Sequence, residues 1–171
     1  MAAIATQQRN TVPEGHAPRR RGPEEDRLEV FVGSWTLEGT AFDSPFGPAA
    51  PITAKETWEW LPGGVFLVHR LHGRLGDQEM ACIEVTHWDE PSRSYKLHTF
   101  YNDGTRNEWR ATEDGGAWTI RGEWTTAEQT NRVRCLLRFH DHGRTASGTW
   151  AYAQGDGGWR TFWETRLTRD R

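Results

Sequence analysis

A chain of 171 residues with a net charge of -3 and a sequence pI near 6.2 fits one domain of ordinary size, and gives no electrostatic reason to expect nucleic acid or an anionic membrane as a partner. No apolar stretch approaches the roughly 18 residues of a membrane helix, and the start MAAIATQQRN lacks the apolar segment of a secretory signal, so the expected location is cytoplasmic. Ten Trp and seven Phe concentrate the apolar content in a few large rings, which suit a pocket wall as well as a solid core.

Residues 1-24 are rich in Pro, Arg, Gln and Ala without periodicity, and are expected as a disordered leader ahead of a folded domain over 25-169. The run Arg19-Arg20-Arg21, answered at once by Glu24, Glu25 and Asp26, reads as a solvated tail. The segment PEEDRLEVFVG predicts a short helix, with Pro23 in its first turn, acidic residues at its N-terminal end and Gly33 as its stop. Everything after it reads as strands, rich in Trp, Thr, Val, Ile and Tyr: 35-42, 52-61, 65-73, 79-88, 95-101, 106-112, 117-124, 132-140, 144-152 and 159-167. Turn signals separate them, among them PGG, LGDQ, DEPS, NDG, EDGG, DHG and GDGG. The two cysteines, Cys82 and Cys135, lie far apart without metal-ligand spacing and are expected as reduced, partly buried thiols.

Successive antiparallel hairpins with no helix between them point to an all-β, up-and-down antiparallel barrel of about ten strands, because closure removes the open edges of a meander. A sandwich is the alternative. Alternating faces orient each strand by its less charged side. In 52-61 that side is Ile52, Ala54, Glu56, Trp58 and Trp60, and in 65-73 it is Val65, Leu67, His69 and Leu71. A two-residue turn at Pro62-Gly63 would set Glu56 directly opposite His69. Further turns near Leu75 and Pro91 would place Ala81 beside His69 and Tyr101 beside Ala81, and NDG would bring Asn107 opposite Tyr101. Glu56, His69, Tyr101 and Asn107 would then share one interior level, surrounded by Trp58, Trp60, Trp109, Trp124 and Trp163.

A glutamate beside a histidine in a dry cavity can fix the imidazole tautomer and raise its basicity, which equips a general base, with Tyr101 as acid or oxyanion donor. The competing reading is that these groups satisfy one another and line a binding cavity. His140-Asp141-His142 sits where a hairpin must turn and reads as a solvated turn, so no metal site is assigned. His72 and His98 fall on charged faces, and His87 lies on a strand, 79-88, whose two faces are nearly equal in polarity. No phosphate-cradling loop, dinucleotide fingerprint or nucleophile elbow is present.

The pieces FVGSWTLEGTAF, WLPGGVFLVHRL, IEVTHWDEPSRSYKLHTFYNDG and SGTWAYAQGDGGWRTFWETRLTR, in this order over about residues 27-168, resemble the bacterial DUF1579 group of lipocalin-like, or calycin-like, barrels. The resemblance implies a barrel with a central cavity and no particular chemistry. The opening Gly33-Ser34-Trp35-Thr36-Leu37-Glu38-Gly39 is also similar to that of nitrobindin-type barrels, which would imply a haem on a histidine, although Leu37 replaces one of their glycines and no position here matches the iron ligand. The leading expectation is a barrel that binds a hydrophobic or aromatic small molecule, without a cofactor, in a cavity of roughly 300 to 1,000 Å³. A cofactor-free isomerase, cyclase or dehydratase using Glu56, His69 and Tyr101 is the alternative, a haem-binding barrel a further one, and a purely structural barrel the third class. Neither nucleic acid nor a membrane is an expected partner, and a homo-oligomer is compatible with the sequence.

Overall fold

The computed structural model describes residues 19–126 and 129–171. One helical turn, α1 (Pro23–Arg27), runs into a 3-10 turn over Leu28–Val30. Five strands follow: β1 (Gly33–Ala41), β2 (Ala50–Trp60), β3 (Leu67–Leu75), β4 (Gln78–Asp89) and β5 (Ser94–Tyr101). Five more complete the chain: β6 (Arg106–Asp114), β7 (Ala117–Thr125), β8 (Thr130–His140), β9 (Thr145–Ala153) and β10 (Arg160–Arg169). Each strand pairs antiparallel with its sequence neighbours, and β1 pairs with β10, so the sheet is a closed ten-strand barrel. Among the described residues no helix is long and apolar enough to cross a membrane.

The segment before β1 plugs one end of the barrel. Leu28 and Phe31 are buried, and the Phe31 ring packs against Trp58, Trp118 and Phe139 at centroid distances of 4.9 to 5.0 Å. Trp35 donates its indole N–H to the Phe31 carbonyl at 2.7 Å. Arg169, at the end of β10, lies over the Trp35 ring at 4.3 Å and donates to the carbonyls of Val30, Val32 and Gly143. Gly33 is required beside it: its φ is +126°, and a Cβ there would meet the Arg169 guanidinium at 2.9 Å. The Gly-x-Trp opening is therefore one half of a clasp whose other half is 134 residues downstream of Trp35, as the pairing of Trp35 with Arg169 shows.

Two of the three arginines ahead of α1 are tied down rather than solvated, while Arg20 is exposed. Arg19 pairs with the buried Glu25 at 2.5 Å and donates to the Trp88 carbonyl, and Arg21 bridges Asp26 and Glu29 at 2.6 Å each. The acidic residues that follow the run in sequence are the ones that tie it to the plug. The disordered leader expected over 1-24 otherwise falls outside the described residues.

Four hairpins depart from the expected register, the one between β4 and β5 by a single residue, so that Tyr101 stands opposite Cys82 rather than Ala81. Between β2 and β3 the loop holds four residues, Pro62 to Val65, with Gly63 and Gly64 both at positive φ, so Leu61 donates to the carbonyl of Phe66 instead of pairing with Gly64. The slip is two residues, which leaves every side chain on its expected face. Trp58 stands opposite His69, and Glu56 opposite Leu71. Between β3 and β4 the turn is the two-residue Gly76-Asp77, pairing Leu75 with Gln78, and the slip from expectation is odd. Ala81 therefore faces outward opposite His72, and Glu84 takes the interior place beside His69. Between β5 and β6 the slip is again two, and Asn107 pairs with Thr99 rather than Tyr101.

Candidate functional site

The interior is apolar over most of its length, with Trp35, Leu67, Trp109, Val133 and Phe162 at 2 % exposure or less. It encloses a cavity of about 150 Å³, smaller than expected because Trp58, Trp109, Trp124, Trp150 and Trp163 all project into its wall. On the side formed by β2, β3, β4 and β5, that wall is interrupted by Glu56, His69, Cys82, Glu84, Thr99 and Tyr101.

Within this polar arc His69 is central. Its ring stacks on Trp58 with centroids 3.9 Å apart and planes 5° from parallel, so the indole fixes the plane of the imidazole. Glu56 Oε2 lies 3.4 Å from His69 Nε2 but accepts the Trp58 indole N–H, at 3.3 Å, and Nε2 itself is buried with no hydrogen-bond partner. On the other side Glu84 Oε1 lies 4.0 Å from His69 Nδ1, while Thr99 donates to Glu84 Oε2 at 2.6 Å. Glu56, His69 and Glu84 are 4 %, 8 % and 8 % exposed. Burial holds the Glu84 carboxyl above the ordinary carboxylate range, against the opposing pull of His69 and Thr99. Burial likewise pushes the Cys82 thiol up to about 12 and raises the Tyr101 phenol, so both are neutral at physiological pH.

Of the residues singled out by sequence, Glu56, Trp58, His69, Tyr101, Trp109, Trp124 and Trp163 line the cavity together. Trp60 does not: its indole donates to Glu29 at 3.0 Å and Arg21 lies over its ring, at the rim by the helical plug. Asn107 faces inward from β6 without lining the cavity, and its amide nitrogen is buried and unpartnered. His87 and His98 stack on each other on the outer face, His72 pairs with Glu79 on the surface, and Asp141 and His142 form the β8–β9 turn. Sequence reasoning missed Glu84, Thr99, Cys82 and Trp150. A signal for Glu84 was present: Gly-Asp in LGDQ is a two-residue hairpin turn, and pairing Leu75 with Gln78 leads directly to Glu84 opposite His69.

The residues do not fit a haem. Among the described residues His69 is the sole interior histidine, carboxylates stand at 3.4 and 4.0 Å from its two nitrogens, and a 150 Å³ cavity is smaller than a porphyrin.

The profile of the family described as "Protein of unknown function (DUF1579)" matches residues 20–169. No curated protein is recognisably similar in sequence. Among solved structures, Rv2717c from M. tuberculosis aligns with a TM-score of 0.60 at 12% identity, over 88% of this chain and 99% of its own. The S-type phycobiliprotein lyase CPES from Guillardia theta aligns with a TM-score of 0.58 at 13% identity, over 88% of this chain and 94% of its own. At these identities the likeness is one of fold.

Proposed function

The chain belongs to the DUF1579 family, and from that premise we propose that its barrel binds a small hydrophobic or aromatic molecule. The observation that carries this reading is the cavity itself: an interior space walled by six Trp side chains, with its hydrophilic groups, Thr165 excepted, gathered on one side. That pairing of apolar enclosure with a few converging polar groups is what small-molecule sites have in common. An apolar cavity of about this volume takes up a single aromatic ring in other proteins. The test is fluorobenzene binding followed by 19F NMR. Saturable 1:1 binding, lost when Cys82→Phe fills the cavity, is expected; a signal that never saturates refutes the proposal.

A second reading, proton-transfer catalysis, is favoured by one observation. His69 Nε2 is buried and unpartnered, with an acceptor carboxylate on either side of the ring. Such a nitrogen is placed to take a proton from a substrate carbon or hydroxyl, with Glu56 stabilising the imidazolium and Glu84 available as a proton donor. Competence is measured as deuterium exchange at the α-carbon of cyclopentanone. His69→Gln is expected to lower the exchange rate by roughly 10²–10⁴-fold while fluorobenzene affinity stays unchanged. An equal rate in the variant removes the catalytic reading and leaves the binding one.

A further inference from the structure

Inside the barrel the acidic side chains outnumber the basic ones. The cavity wall contains two carboxyl groups, Glu56 and Glu84, one imidazole, His69, and neither lysine nor arginine. Even with His69 protonated, two ionised carboxylates leave one negative charge uncompensated, and an unpaired charge in an apolar interior is among the costliest arrangements a protein can hold. The hydrogen bonds are lopsided in the same sense. Trp58 and Thr99 donate to Glu56 Oε2 and Glu84 Oε2, and apart from the Thr86 hydroxyl beside Glu84 no further donor reaches either carboxyl among the described residues. The remaining wall includes the electron-rich rings of Tyr101, Trp109, Trp124 and Trp163. Acceptors and π faces without a cation are complementary to a cation.

Resting on the reading of the barrel as a small-molecule binder, we infer that its ligand is a ring-sized organic cation, a protonated amine on a small aromatic or alicyclic frame. The ammonium group sits by Glu84 and Glu56, and the ring lies among the tryptophans. A carboxylate-bearing ligand would face two like charges, and a neutral ligand would leave the acceptors unmatched. In the empty cavity burial favours the protonated form of Glu84, with His69 and Thr99 pulling the other way. The groups that face it are His69 from β3, Glu56 beyond it on β2, Cys82 and Thr86 on its own strand, and Thr99 and Tyr101 from β5. Cys82 and Tyr101 are neutral, so an arriving ammonium is matched by ionising Glu84, whose proton leaves to solvent.

Benzylamine, benzyl alcohol and benzoate share one frame and differ in charge, and isothermal titration of the intact chain distinguishes them. Benzylamine is expected to bind at least about tenfold tighter than benzyl alcohol, and benzoate more weakly than either. Titration at several pH values above 4, in buffers of different ionisation enthalpy, should show proton release on amine binding and none with the alcohol, and amine affinity should rise with pH until the amine itself loses its charge. Glu84→Gln and Glu56→Gln should each cut amine affinity by more than alcohol affinity, narrowing the preference for the amine to within about twofold. Should a variant also lose the alcohol, it has lost the cavity, and the wild-type comparison with its proton count decides. Equal affinity for amine and alcohol without proton release overturns the cation assignment and leaves apolar binding standing. No saturable binding of any of the three overturns both.

Discussion

Glu84 is a buried carboxyl of the cavity wall, and its burial makes a prediction that needs no ligand. A carboxyl whose folded-state pKa is raised binds more protons in the folded chain than in the unfolded one between the two values, so stability falls as pH rises through that window. Below about pH 4 the group is protonated in both states and the penalty vanishes. Glu84→Gln keeps the shape and can still accept from Thr99, but carries no titrating proton. Its Tm is expected to match the wild type near pH 4 and to exceed it at pH 8, by roughly 2–4 °C for each kcal/mol of relieved penalty. Thermal unfolding at the two pH values measures this. A variant less stable than wild type at pH 8 would mean that the ionised carboxylate is well paired.

On the outer face of β6, β7 and β8 the register sets like charges side by side: Arg110 opposite Arg121, and Arg121 opposite Arg134. Lys96, next in the same row on β5, is matched by Asp89 at 3.2 Å, but no carboxylate lies within ion-pair reach of the three guanidiniums among the described residues. Arg134 stacks under Trp159 at 4.3 Å instead. Directly opposed like charges weaken a strand pair, so Arg121→Thr, which removes the central charge and adds a β-branched side chain, is expected to stabilise the fold by about 0.2–1 kcal/mol. Urea denaturation at low and high salt checks it, with the gain shrinking as salt screens the repulsion.

Register also explains how much of the site could be read in advance. All ten strands were legible from β-branched and aromatic runs between glycine-bearing turns, and Glu56 and His69 could be placed inside because a slip of two residues preserves faces. Glu84 was hidden because the two faces of β4 are nearly equal in polarity. Its outer face mixes Ala81, Ile83 and Val85 with Glu79 and His87, its inner face Glu84 and Thr86 with Met80, Cys82 and Trp88, and Ile83 is 48 % exposed. Such a strand defeats orientation by hydrophobicity, and there turn length is the better guide.

For the molecule as a whole, barrel closure and end-plugging are one construction. Arg169 joins the last strand to the plug carbonyls and to the first-strand Trp35, across nearly the whole sequence. Removing it unties three carbonyls at once, and Arg169→Ala is expected to cost about 3 kcal/mol, with Lys recovering little because it lacks the planar fork. Equilibrium urea unfolding of both variants tests this. The clasp was half legible in Gly33-Ser34-Trp35. Its partner was not, since nothing local marks an arginine near a chain's end as the one that returns to the beginning.

The plug also makes the barrel a blind vessel. Phe31 seals the floor directly beneath Trp58 and His69, while Phe46, in the loop between β1 and β2, roofs part of the opposite mouth by packing on Trp124 and Phe162. A guest of the kind proposed would then come and go by that opposite mouth, polar head foremost if it is to meet His69, and its exchange with solvent would run through a single doorway.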